Sequence, residues 1–93
     1  MKTPISPNLS FTIQIFREGR TYVAHNPELN VSSCGDTLDD AKSNLKDALV
    51  GFLKSAQKLG TLDEILKEAG YVRKNKEWVE PRLVLSGRLS LVS

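Results

Sequence analysis

An α+β domain, a mostly antiparallel sheet packed by helices in the order β-β-β-α-α-β-β, is what the 93-residue sequence predicts. Three observations carry this reading. An alternating apolar run opens the chain, two amphipathic runs with capping residues fill its middle, and paired short β-rich segments around turn residues follow. Leu9 to Arg17 alternates, with Phe11, Ile13 and Ile15 on one face and Ser10, Thr12 and Gln14 on the other, as a half-buried strand does. Glu18-Gly19-Arg20 turns the chain into a second strand, Thr21 to His25. Pro27 fixes its own φ and keeps Asn26 out of the helical region, so a turn precedes a third strand at Val31 to Cys34.

Gly35-Asp36-Thr37 ends that strand and opens a helix. The Thr37 hydroxyl is placed to accept from the amide of Asp40, and Asp39 and Asp40 stand where the helix dipole favours negative charge. Leu38, Ala41, Leu45, Ala48, Leu49, Phe52, Leu53 and Ala56 form one stripe at spacings of three and four, so the helix runs to about Gly60. Thr61-Leu62-Asp63-Glu64 reads as a second capping box, with a helix of about ten residues that Gly70 terminates in a left-handed cap. Tyr71-Val72-Arg73 and Glu77-Trp78-Val79 flank Lys74-Asn75-Lys76, a hairpin in which Asn takes positive φ. Beyond Pro81, the alternation of Leu83, Leu85, Leu89 and Leu91 around Gly87 predicts a final strand.

One domain over residues 1–93 is expected, with 1–8 as a loose lead-in and 71–93 as a C-terminal strand region. Thirteen Lys and Arg against eleven Asp and Glu give a net charge of +2, too near balance to mark a nucleic-acid binder. The charge is unevenly spread. Residues 36–70 carry five Lys against seven acids, and residues 71–93 carry five Lys and Arg against two Glu. A single cysteine, Cys34, excludes an internal disulfide and a cysteine zinc cage, which suits a reducing cytoplasm. No run is apolar enough to span a bilayer, so no membrane partner is expected.

Tyr22-Val-Ala24, Pro27-Glu-Leu29, Gly35-Asp-Thr37 and then Ala41, Leu45 and Ala48 resemble the HicB-like family, antitoxin components of type II toxin-antitoxin pairs. The resemblance covers about residues 9–59. It implies a partial RNase H-like fold that binds and neutralises a small basic mRNA-cleaving toxin, HicA. Many relatives add a helical module that binds their operon's DNA. The segment after Gly70 has strand patterns and no helix pair, so DNA binding is left open, and the alternative is a stand-alone HicB-like oligomeric or regulatory module without a toxin partner.

The residues themselves weigh against an enzyme. A two-metal nuclease needs clustered carboxylates, including one on the central strand. Phe11 to Phe16 carries none, and Asp39 and Asp40 are adjacent on a helix and diverge, so no metal, cofactor or catalytic residue is expected. The lone His25 reads as a solvated or hydrogen-bonded side chain, and Cys34 as a small buried residue. Glu28, Asp36, Asp39 and Asp40 are the candidate partner-binding residues, because an RNA-cleaving toxin presents cations that carboxylates complement. Trp78 reads either as core or, with Leu83, Leu85, Leu89 and Leu91, as the interface of a homo-oligomer, a dimer or tetramer.

Overall fold

A computed structural model describes residues 9–81 and 87–91. Strands β1 (Gln14–Glu18), β2 (Thr21–Asn26) and β3 (Val31–Gly35) form an antiparallel sheet in that spatial order. Helices α1 (Leu38–Leu59) and α2 (Leu62–Glu68) follow, and β4 (Val72–Lys74) and β5 (Glu77–Val79) close a small hairpin. The class and the element order are those expected.

The turns obey backbone sterics. Pairing of Glu18 with Thr21 leaves Gly19-Arg20 as a two-residue turn, and Gly19 takes φ +61°. Lys74 pairs with Glu77, and both intervening residues, Asn75 and Lys76, have positive φ, the geometry of a type I′ turn. Thr37 caps α1 as its position predicts, its hydroxyl accepting from the Asp40 amide at 3.0 Å, and Gly60 ends the helix at φ +78°.

The α1 helix lies across β3 and β2, and Gly35 sets how closely. A Cβ at Gly35 would stand 2.6 Å from the Ala41 nitrogen and 2.7 Å from the Asp40 Cβ. Ala24 and Ala41 are fully buried at this contact, and Leu45 completes the cluster, with Ile15, Tyr22, Val31 and Leu49 packed around it. A second cluster holds Leu66, Tyr71 and Trp78, with Leu9, Phe11, Leu62 and Ala69 against it.

Four expectations are corrected. The first strand begins at Gln14, five residues later than the alternation suggested. Ladder bonds are replaced there by side chains, since the Thr12 amide donates to Glu28 Oε1 at 2.6 Å and Asn26 Nδ2 donates to the Thr12 carbonyl at 2.8 Å. Leu9 and Phe11 meanwhile pack on the second cluster, where the Phe11 and Tyr71 rings lie 5.4 Å apart. Thr61 forms no capping box; its hydroxyl instead donates back to the Ala56 carbonyl at 3.4 Å, because Thr61 closes the previous helix. The α2 helix is seven residues long, shortened by a tight C-terminal turn in which the Tyr71 amide donates to the Leu66 carbonyl and Gly70 takes φ +96°. The final strand does not extend over Gly87 to Leu91, which pair with no strand, and Leu83 and Leu85 lie outside the described residues.

The Tyr71 phenol donates to the Ser10 carbonyl and ties the N-terminal segment to the second cluster. Burial, with the Glu28 and Glu80 carboxylates, pushes its pKa well above the usual tyrosine range, so it stays a donor.

Gly35→Ala tests the helix seat. Its φ carries no left-handed requirement, so the cost is steric, about 1–3 kcal/mol or more as α1 is forced off β3. Thr37→Ala, which removes the cap at an exposed position, is expected to cost about 1 kcal/mol. Urea unfolding measures both, and an unperturbed Gly35→Ala protein would contradict the close seat.

Candidate partner-binding surface

The start of α1 gathers three of the four predicted acids. Asp36 ends the loop after β3, Thr37 caps, and Asp39 and Asp40 occupy the first turn; all three carboxylates are exposed. The orphan amides and the dipole of a helix N-terminus favour these charges, which explains their local placement without any partner. Their surroundings add something more. Tyr22, Asp36, Thr37, Leu38 and Asp39 line a shallow depression of about 390 Å³, and Leu38 at its rim is 50 % exposed. The Arg17 guanidinium lies 5.9 Å from the centroid of the Tyr22 ring, so the ring already receives one cation. An aromatic ring, an exposed leucine and divergent carboxylates suit the aliphatic stem and charged head of Lys or Arg.

Glu28 does not join this group. It lies in the turn before β3, while Asp36 follows the end of β3, so the strand separates them by roughly 13 Å or more. Its carboxylate is also occupied, accepting from the Thr12 amide at 2.6 Å and from Asn26 Nδ2 at 2.8 Å. Glu28 is part of a buried polar junction whose centre is Asn26, fully buried, with Oδ1 accepting from the Leu29 amide at 2.8 Å. In the sequence Asn26 reads only as the residue before a proline. The signal that marks it is the Asn three residues ahead of an amide in a Pro-containing turn, the pattern of a side chain that stands in for backbone.

His25 and Ser32 face each other across β2 and β3, and His25 Nδ1 lies 2.5 Å from Ser32 Oγ, so the histidine is hydrogen-bonded. Cys34 is exposed, which corrects its assignment to the interior. It pairs with Val23, on the opposite sheet face from the buried Ala24. Trp78 is 8 % exposed and packs with Leu66 and Tyr71, so its ring is enclosed by its own chain, and Arg73 lies over it at 5.7 Å. Leu89 and Leu91 are 89 % and 90 % exposed.

Among the described residues, no three His, Cys, Asp or Glu side chains come together in a metal-holding group, and no helix is long and apolar enough to cross a membrane. Compared with known proteins, the chain matches no family model, no curated protein and no solved structure.

Proposed function

We propose that this chain is an antitoxin-like binding protein of HicB type that acts in the cytoplasm, where it neutralises a small basic mRNA-cleaving toxin through the start of α1. The observation that carries the proposal is the depression lined by Tyr22, Leu38, Asp36 and Asp39, with Asp40 adjacent in the sequence. The residues that resemble the family add support of a different kind. Ala24, Ala41 and Leu45 are the buried contact between sheet and helix, and Gly35 is the position that permits it. Those positions build the surface on which the acids are displayed.

Blocking a ribonuclease requires only that its phosphate-binding cations be covered. Carboxylates supply the complementary charge and steer association, and the exposed leucine and tyrosine supply the desolvated contact that keeps the partners together. Catalysis by the chain itself forms no part of the proposal. The helix turns about 100° per residue, so Asp39 and Asp40 point apart, and Glu28 is held at the other end of β3.

Two outcomes are expected. Incubation of the protein with RNA, DNA and RNA-DNA hybrid in Mg²⁺ or Mn²⁺ leaves all three intact; cleavage that copurifies with the protein and disappears in Asp36→Asn or Asp40→Asn would overturn this. The neighbouring reading frame is expected to encode a small basic protein whose growth arrest this chain relieves on co-expression. The double variant Asp36→Lys, Asp39→Lys slows its association with that protein roughly tenfold or more at low salt and flattens the salt dependence. Unchanged kinetics in a well-folded double variant would move the interface elsewhere.

A further inference from the structure

The segment before β1 is gripped by side chains along its main chain. Leu9 and Phe11 pack on the cluster of Leu66, Tyr71 and Trp78 while Ser10 between them is exposed, the alternation of an extended backbone. Continuing the β1–β2 register would set Thr12 opposite Pro27, which has no N–H to give, and Asn26 Nδ2 donates to the Thr12 carbonyl at 2.8 Å in its place. Glu28 Oε1 accepts from the amide of the same residue at 2.6 Å, and the Tyr71 phenol donates to the Ser10 carbonyl. Other contacts hold these gripping groups in position. Asn26 is fully buried, its Oδ1 accepts from the Leu29 amide, and its Nδ2 also donates to Glu28 Oε1 at 2.8 Å. The Tyr71 amide donates to the Leu66 carbonyl, and Trp78 pairs with Arg73 across the hairpin. The gripped segment is less secure than its seat. Leu9, Phe11 and Thr12 are half-buried, and Ser10 and Ile13 are exposed.

We infer that residues 9–13 are a tethered peptide ligand, and that the site gripping them binds an extended segment of a partner protein with the same pattern when they lift. The pattern is two apolar side chains at alternate positions, a free carbonyl between them, and directly after the second a residue that is not proline. Leu9 and Phe11 are the apolar pair here, Ser10 gives the carbonyl, and Thr12 is held by both its N–H and its C=O. Main-chain hydrogen bonds supply affinity for any extended segment, and the two side-chain positions select among sequences. Lifting breaks these three main-chain contacts and leaves intact the β1–β2 ladder, which runs from Gln14 with His25 to Glu18 with Thr21. Such local opening needs less free energy than unfolding the sheet. A short tether supplies an effective concentration of about a millimolar, so a site that binds the free peptide at about 0.1 mM keeps its own segment seated roughly ten to one. Being separate from the depression at the start of α1, with which it shares no residue, the site does not depend on the antitoxin reading.

The full chain carrying Phe11→Asp and Thr12→Pro loses the apolar anchor and the amide that donates to Glu28, so its own segment stays out of the site. A capped synthetic peptide with the sequence of residues 9–14 is titrated into this variant and into the unmodified chain, and the fluorescence of Trp78, the single tryptophan, reads the site. The variant is expected to keep its circular dichroism and to bind the peptide with a Kd of about 0.1 mM, and the unmodified chain to bind it about tenfold more weakly, because its own segment competes. A peptide carrying Phe11→Asp is expected not to bind. In the unmodified chain the Thr12 amide is expected to exchange with deuterium roughly tenfold or more faster than the amides bonded in the β1–β2 ladder. A well-folded variant that ignores the peptide, equal binding by both chains, or equal binding of the Asp-bearing peptide would overturn the inference. So would a variant that loses its circular dichroism, or a Thr12 amide as slow as the ladder, since either makes residues 9–13 a fixed part of the fold.

Discussion

The close seat of α1 on β3 at Gly35 is the constraint from which the remaining architecture follows. With no side chain at Gly35 and methyls at Ala24 and Ala41, helix backbone meets sheet backbone at a distance that a Cβ would forbid. The seat fixes the first turn of the helix at the end of the strand, and with it the position of Asp36, Asp39 and Asp40. It also creates a problem further along. A helix of 22 residues is about 33 Å long, whereas a five-residue strand spans about 17 Å, so the second half of α1 overhangs the sheet. Leu53 and Ala56 are buried in that half, which requires the chain to build something beyond the sheet to cover them.

Beyond the sheet, α1 meets α2, and the second cluster around Leu66, Tyr71 and Trp78 is packed by the N-terminal segment. Leu9 and Phe11 contribute apolar contact, the Tyr71 phenol donates to the Ser10 carbonyl, and Asn26 with Glu28 takes both backbone groups of Thr12. A segment that reads as strand is thereby used as a strap. Buried polar groups of this kind are stable only when their partners are present, and Asn26 and Glu28 serve Thr12, each other and the Leu29 amide together. Among the described residues, the strap and the flank of α1 near Val50 line an apolar groove of about 370 Å³ between them.

The parts of this fold legible in the sequence are those fixed by local chemistry. Thr37 and Gly60 delimit α1 because caps act within one turn, and Asn75 reads as a turn because positive φ is a property of single residues. What could not be read is set by distant partners. Nothing in the alternation of Leu9 to Ile13 reveals that Thr12 is held by side chains 14 and 16 positions away, and so the strand was expected too early. Thr61 has the composition of a capping box, yet it is claimed by the carbonyl of Ala56 in the preceding helix. Cys34 looked buried by residue type, and the register with Val23 turned it outward. The acids were legible as a helix start. Their separation from Glu28 was not, because the direction of β3 relative to the two turns is a tertiary fact.

The central claim is that the start of α1 is the surface at which a basic ribonuclease is held. Hydrogen-deuterium exchange is suited to it, since the first amides of a helix lack intrahelical acceptors and exchange rapidly when free. Comparing this chain alone with the chain saturated by the proposed small basic toxin, the account predicts new protection concentrated in residues 36–41 and in the peptide containing Tyr22. Protection confined to the β4–β5 hairpin or to α2, with residues 36–41 exchanging as in the free protein, would contradict it.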